Sequence, residues 1–131
     1  MITEDMLPAF QGAIPSAIAT INKEKDPNIS YVSQVYYINE TSVAISNQFF
    51  NKSIANIKLN GKAVVNITNP MNFKCWYLTL NFKESQTEGD LFENMSMQLE
   101  SIASMMGMED VFKLNSAEIF EVTKVEEVIV S

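Results

Sequence analysis

Ile29-Ser30-Tyr31-Val32-Ser33-Gln34-Val35-Tyr36-Tyr37-Ile38 is followed by Asn39-Glu40 and then by Thr41-Ser42-Val43-Ala44-Ile45-Ser46. The first run holds four β-branched residues and three tyrosines, which predicts one long strand over residues 29–38. The second predicts a strand over residues 41–46. Asn39-Glu40 is a tight turn between them, so the pair reads as a hairpin. The chain continues Asn47-Gln48-Phe49-Phe50-Asn51-Lys52-Ser53. There the pattern changes: Asn51 is a good N-cap, Ile54 and Ile57 lie at helical spacing, and Gly61 is placed to stop a short helix.

Outward from this segment the pattern is mostly extended. Residues 13–22 are rich in Ile, Ala and Thr and close on the polar turn Lys23-Glu24-Lys25-Asp26-Pro27-Asn28. Strands are predicted over 63–68, over 73–82 with Trp76, Leu78 and Leu80 on one face, and over 117–130. A long helix is predicted over 88–106. Its face is Leu91, Met95, Leu99, Ile102 and Met106, which advance by helical steps. Ser85 and Glu88 have the spacing of a capping box, and Gly107 is placed as the stop. Residues 3–10 suit a short opening helix, with Thr3 as cap, Glu4 and Asp5 in the first turn and Pro8 limiting it. The sum is about six strands, one long helix and two short ones. Strands follow one another without regular βαβ alternation, which favours a mainly β antiparallel sheet or barrel with added helices.

The chain has 131 residues, enough for one domain with a real core. Its composition is globular, with 47% hydrophobic and 19% charged residues. Nine basic against sixteen acidic residues give a net charge of −7. All the basic residues are lysine, with neither arginine nor histidine present. Ser-His-Asp and Cys-His catalysis within one subunit are excluded, as are His-ligated zinc and haem. The acidic balance argues against nucleic acid as a partner. Cys75 is the single cysteine, so no internal disulfide forms and a reducing compartment is the default. No run approaches a membrane span and the acidic start lacks a signal peptide's basic region, so a cytoplasmic protein without a membrane partner is expected.

Two stretches invite chemistry. Ser46 to Asn56 joins a strand end to a helix start, where free N–H groups and the helix dipole favour an anion. Lys52 lies in the first turn, where a cation is disfavoured unless an anion sits beside it. Ser46, Asn47, Asn51 and Ser53 add polar groups. The plain alternative is a polar loop with an ordinary cap. In Val32-Ser33-Gln34-Val35, Ser and Gln interrupt an apolar strand, which fits hydrogen bonding to a planar, amide-like ligand; a polar pair at a sheet edge is the plain alternative. Phe73, Trp76 and Tyr77 could cover a flat ring, although strand aromatics are more often core. Glu118, Glu121, Glu126 and Glu127 match no metal motif and read as a solvated strand face. Cys75 reads as a small core residue. Met95, Met97, Met105, Met106 and Met108 read as helical core or as a binding surface.

In the order of these segments the chain resembles the pyridoxamine 5′-phosphate oxidase-like flavin-binding family. That pattern is a hairpin, then Thr/Ser-Asn, a gap, and a basic pair opening a short helix. Ser46 and Asn47 match the first element and Lys52 matches the second basic position. Asn51 stands where the family often has Arg. Residues 84–89, the long helix and residues 107–122 also resemble small bacterial members, so the likeness runs over about 10–128.

The resemblance implies a six-stranded antiparallel split β-barrel, a homodimer, and FMN at the subunit interface. Carried over, Val32, Ser33, Gln34 and Val35 would line the isoalloxazine and ribityl. Ser46 and Asn47 would sit near the ribityl-phosphate end, and Lys52 and Ser53, with Asn51 beside them, would hold the phosphate. A residue of the strand containing Lys74 and Trp76 would reach the flavin of the other subunit. Without Arg, the phosphate depends on a point charge, hydroxyls and backbone N–H groups, which implies weaker FMN binding. The oxidase itself grips its substrate phosphate with Arg and His, and haem-handling relatives use a His ligand. Neither activity suits this chain. Three functions remain: an FMN-dependent oxidoreductase on an unknown small substrate, a flavin carrier or sensor without turnover, and a structural dimer whose flavin site has decayed. No catalytic side chain stands out; Tyr36, Tyr37 and Tyr77 are the available proton donors.

Overall fold

The structure, a computed structural model, describes residues 1–128 except 12, 33, 48–50, 106 and 108–113, and leaves out the side chains of 51–54. A 3-10 helix, Glu4–Ala9, opens the chain. Strands β1 (Ser16–Ile21), β2 (Pro27–Val32), β3 (Val35–Asn39) and β4 (Ser42–Asn47) follow. Helix α1 is Asn51–Asn60, then come β5 (Lys62–Thr68) and β6 (Cys75–Gln86), helix α2 (Asp90–Met105) and β7 (Ser116–Glu127). The strands form one sheet in the order β2-β1-β5-β6-β7-β4-β3, with every neighbouring pair antiparallel.

That order forces the sheet to curl. β2 and β3 occupy its two edges, yet Val32 and Val35 are three residue steps apart, which span no more than about 11 Å. Laid flat, six strand spacings of about 4.8 Å would separate those edges by roughly 29 Å. Among the described residues no ladder joins β2 to β3, so the barrel is closed by the chain and left open in its hydrogen bonding. This is a split barrel of seven strands. The expected count was about six because residues 29–38 read as one strand. The chain instead leaves β2 at Val32 and enters β3 at Val35, passing from one edge of the sheet to the other.

Alternation fills the interior. Ala63, Val65 and Ile67 of β5 and Trp76, Leu78 and Leu80 of β6 are buried in one cluster with Ile18, Val43, Ile45, Phe120 and Val122. Each fully buried Val, Leu, Ile or Phe among them contributes about 1.5–3 kcal/mol. Ile57 of α1 and Met6 and Ala9 of the 3-10 helix join this cluster. α2 lies outside the barrel, and Met95 and Leu99 pack on Ala44 and Ala117 with Tyr36, Ile38 and Ile119 around them. β4 is therefore covered on both faces, which explains four consecutive buried residues, Val43 to Ser46. Among the described residues nothing covers the outer face of β2, β1, β5 and β6 in this way. There Ile29 is 69% and Tyr31 77% exposed, with Ala17, Ala19, Val64 and Tyr77 beside them.

Several boundaries differ from expectation. β6 continues to Gln86, so Ser85 is a strand residue and not a helix cap. α2 starts at Asp90, with the Glu93 N–H bonded to the Gly89 carbonyl. Asn51 is the first residue of α1 rather than its cap. Phe73 is not in a strand: it sits at φ 60° in the β5–β6 loop, 73% exposed. Gly61 and Gly107 do follow their helices, at φ 69° and 67°.

Candidate functional site

The break between β2 and β3 lies against the end of β4. The Ser46 N–H donates to the Gln34 carbonyl at 3.3 Å, so the two stretches singled out in the sequence meet. Val32 and Val35 turn their side chains into the interior cluster. What their stretch offers elsewhere is backbone and Gln34; Ser33 lies outside the described residues.

Gln34 is 2% exposed. Its Nε2 donates to the Met95 carbonyl at 3.1 Å and to Gln98 Oε1 at 2.6 Å. These two acceptors orient the amide towards α2. Its own Oε1 is buried and has no partner among the described residues. A buried acceptor left unpaired costs about 1–3 kcal/mol, so it is a place where a donor gains more than usual.

Ser46 is fully buried and stands opposite Ala117, while Asn47 is half-buried opposite Ser116. Asn47 Nδ2 donates to Ser116 Oγ at 3.0 Å, and the Asn47 carbonyl accepts from the Asn115 N–H. Ser116 Oγ in turn donates to Glu118 Oε1 at 2.6 Å, and the Ser85 hydroxyl donates to Glu118 Oε2. Glu118 is only 2% exposed. It was expected on a solvated strand face with Glu121, Glu126 and Glu127. Those three are exposed, but Glu118 points inward with Ser116 and Phe120. The signal that could have found it is the serine two positions earlier in an otherwise apolar alternation, Ser116, Glu118, Phe120, Val122.

From Asn47 the chain leads to α1, whose first turn holds Asn51, Lys52 and Ser53. That turn carries no acidic residue, while Lys58 lies in the last turn. Acidic side chains commonly fill a first turn; leaving it without them keeps the positive end of the dipole available to an anion.

The aromatic candidates separate. Trp76 belongs to the interior, whereas Tyr77 and Phe73 are exposed. Tyr36 packs towards α2, and Tyr37 meets the Phe10 ring edge-on at 5.6 Å. Cys75 is half-buried, at 4.0 Å from Asn66 Nδ2. Met95 is core, Met97 and Met105 are exposed, and Met106 and Met108 lie outside the described residues. Among the described residues no group of His, Cys, Asp and Glu could hold a metal, and no helix is long and apolar enough to cross a membrane.

No protein-family model matches the chain, and no curated protein matches it. Solved structures do. An FMN-binding protein from Syntrophomonas wolfei subsp. wolfei superposes with a TM-score of 0.73 at 18% identity, over 92% of this chain and 80% of that one. An F420 reductase gives 0.70 at 9% identity, over 96% and 98%. A putative pyridoxamine 5′-phosphate oxidase from Lactobacillus delbrueckii gives 0.61 at 12% identity, over 98% and 93%. Seven antiparallel strands, an open seam between β2 and β3, and these superpositions lead to one conclusion: the chain has the fold of the pyridoxamine 5′-phosphate oxidase-like split barrels.

Proposed function

We propose that the protein binds FMN and uses it as an oxidoreductase on a small substrate. The observation that carries this reading is the meeting of Gln34 with Ser46. It sets the backbone of Gln34, whose side chain carries a buried, unpartnered acceptor, beside the strand end that leads to α1. A flavin ring bears an N–H donor for such an acceptor, and its phosphate suits the first turn of α1, with Lys52 and Ser53. Val32, Ser33 and Val35 would flank the ring through their backbone, and Ser46, Asn47 and Asn51 would lie along the chain between ring and phosphate. The fold likeness to an FMN-binding protein supports the same reading. When bound, the flavin would supply hydride transfer. The chain's part is to orient the ring and exclude water.

The exposed apolar face of β2, β1, β5 and β6 supports a homodimer, with the flavin at the subunit interface. The complete lack of Arg and His favours a second reading, a flavin carrier or sensor without turnover. A cytoplasmic setting fits the single free cysteine.

The test is a visible absorption spectrum of the purified protein, followed by titration with FMN and with F420. Flavin bands with FMN identified by mass spectrometry, and turnover of a reduced nicotinamide with an acceptor, support the oxidoreductase. Bound FMN without turnover supports the carrier. A protein that takes up F420 alone, or neither cofactor, overturns the FMN assignment.

A further inference from the structure

Glu118 is a carboxylate taken out of water at the end of the barrel where the candidate site lies, and the proposed function does not use it. None of the ion pairs among the described residues involves it. Its two oxygens accept from two hydroxyls, Ser116 and Ser85. Burying a carboxylate to receive only two serine protons is a poor way to stabilise a fold, because an apolar side chain of the same size avoids the desolvation cost.

The hydrogen-bond directions give it a task. An ionised carboxylate only accepts, so the single Ser116 proton is committed to Glu118. Ser116 Oγ can then only accept from Asn47, and the Asn47 amide must present Nδ2 to it. Without that commitment, the Ser116 hydroxyl could donate to Asn47 Oδ1, and the amide would turn over at no cost in hydrogen bonds. Ser116 is buried, so no bulk water substitutes for either partner.

We propose that Glu118 is a positioning residue which, through Ser116, fixes the Asn47 amide with Nδ2 inward and Oδ1 free to accept from a ligand. The inference rests on the flavin reading of the Ser46–Ser53 stretch for its consequence, but the relay itself exists in the ligand-free chain. What position 118 must supply is an acceptor facing Ser116, not a charge. Glutamine meets that requirement: its Oε1 takes the Ser116 proton, its Nε2 donates to Ser85, and Ser85 is exposed and sends its own proton to water. Methionine matches the size and supplies no acceptor.

The experiment compares Glu118→Gln, Glu118→Met, Ser116→Ala and the Glu118→Met/Ser116→Ala double variant. FMN affinity is read by fluorescence quenching, and stability by thermal melting of the apo-protein. Glu118→Gln should bind within about twofold of wild type. Glu118→Met should weaken FMN binding roughly five- to tenfold, the size of one net hydrogen bond, while melting no lower than wild type. Ser116→Ala should weaken binding as much, and the double variant should add nothing. Equal tightening by Gln and Met would mean that charge acts directly on the ligand; wild-type affinity in Glu118→Met would mean that no relay exists. Either result overturns the proposal.

A second readout separates this proposal from the flavin reading. The Asn47 side-chain amide signal in the apo-protein, identified by its loss in Asn47→Asp, should be protected from exchange in wild type and Glu118→Gln and unprotected in Glu118→Met and Ser116→Ala. A wild type that ignores FMN but shows this pattern defeats the flavin reading and leaves the relay standing. An amide signal indifferent to position 118 defeats the relay whether or not FMN binds.

Discussion

Ser46 and Gln34 are joined across the seam of the barrel, the N–H of one donating to the carbonyl of the other at 3.3 Å. Ser46 belongs to β4, whereas Gln34 lies between β2 and β3 and belongs to neither. It is thereby spared a strand ladder and turns its side chain under α2.

Gln34→Met tests what the unpaired oxygen is for. The variant loses two donated hydrogen bonds and also removes the orphan acceptor. Gln98 is exposed and re-bonds to water, so apo stability should change by less than about 1 kcal/mol in urea denaturation. FMN affinity should fall by roughly tenfold in titration. An unchanged affinity would remove Gln34 from the site.

Lys52→Glu reverses the only charge in the first turn of α1. If a phosphate lies there, the loss is that of a charge-assisted contact plus a repulsion, and FMN affinity should drop about 30-fold or more at low salt. The wild-type affinity itself should lie in the micromolar range, since lysine lacks the guanidinium fork. A nanomolar constant by titration would contradict that expectation.

Part of this arrangement was legible in the residues and part was not. The alternation of Ala63, Val65 and Ile67 against Trp76, Leu78 and Leu80, and the helical face of Leu91, Met95 and Leu99, carry their own periods and need no partner to be read. The seam between Val32 and Val35 has no such mark. A polar pair inside ten strand-forming residues looks like an edge, and only the sheet order shows that the chain changes edges there. Ser85 and Glu88 have the spacing of a cap, but Ser85 stands opposite Glu118 across the β6–β7 ladder, and this tertiary pairing outweighs the local one. Glu118 itself resembles its exposed neighbours because its partner Ser85 is 33 residues away.

Ile29→Asp addresses the uncovered half of the sheet. The side chain is 69% exposed, so the change should move monomer stability by no more than about 0.5 kcal/mol. If that face joins two copies, sedimentation velocity should show a dimer in wild type and a monomer in the variant. A dimer that persists in Ile29→Asp would place the interface elsewhere.

Phe73→Asn should stabilise the protein by about 0.5–1 kcal/mol, seen as a higher melting temperature. Phe73 is held at φ 60°, where a bulky side chain is strained and asparagine is tolerated, and its ring is 73% exposed, so little burial is lost. A lower melting temperature would show that the ring is packed against something in solution, such as a second copy.

The cross-strand pairing of Asn47 with Ser116 spans 69 residues of chain. A ribosome adding about 5–20 residues per second therefore exposes Gln34 and Ser46 for several seconds before the partner of Asn47 has been made. During that interval β4 lacks the strand that will lie between it and β6, because β7 is the last strand of the sheet to be synthesised. The two parts of the sheet, β2-β1-β5-β6 and β4-β3, share no ladder until β7 pairs with both β6 and β4, so a ligand of this site meets a complete barrel only once that strand is in place.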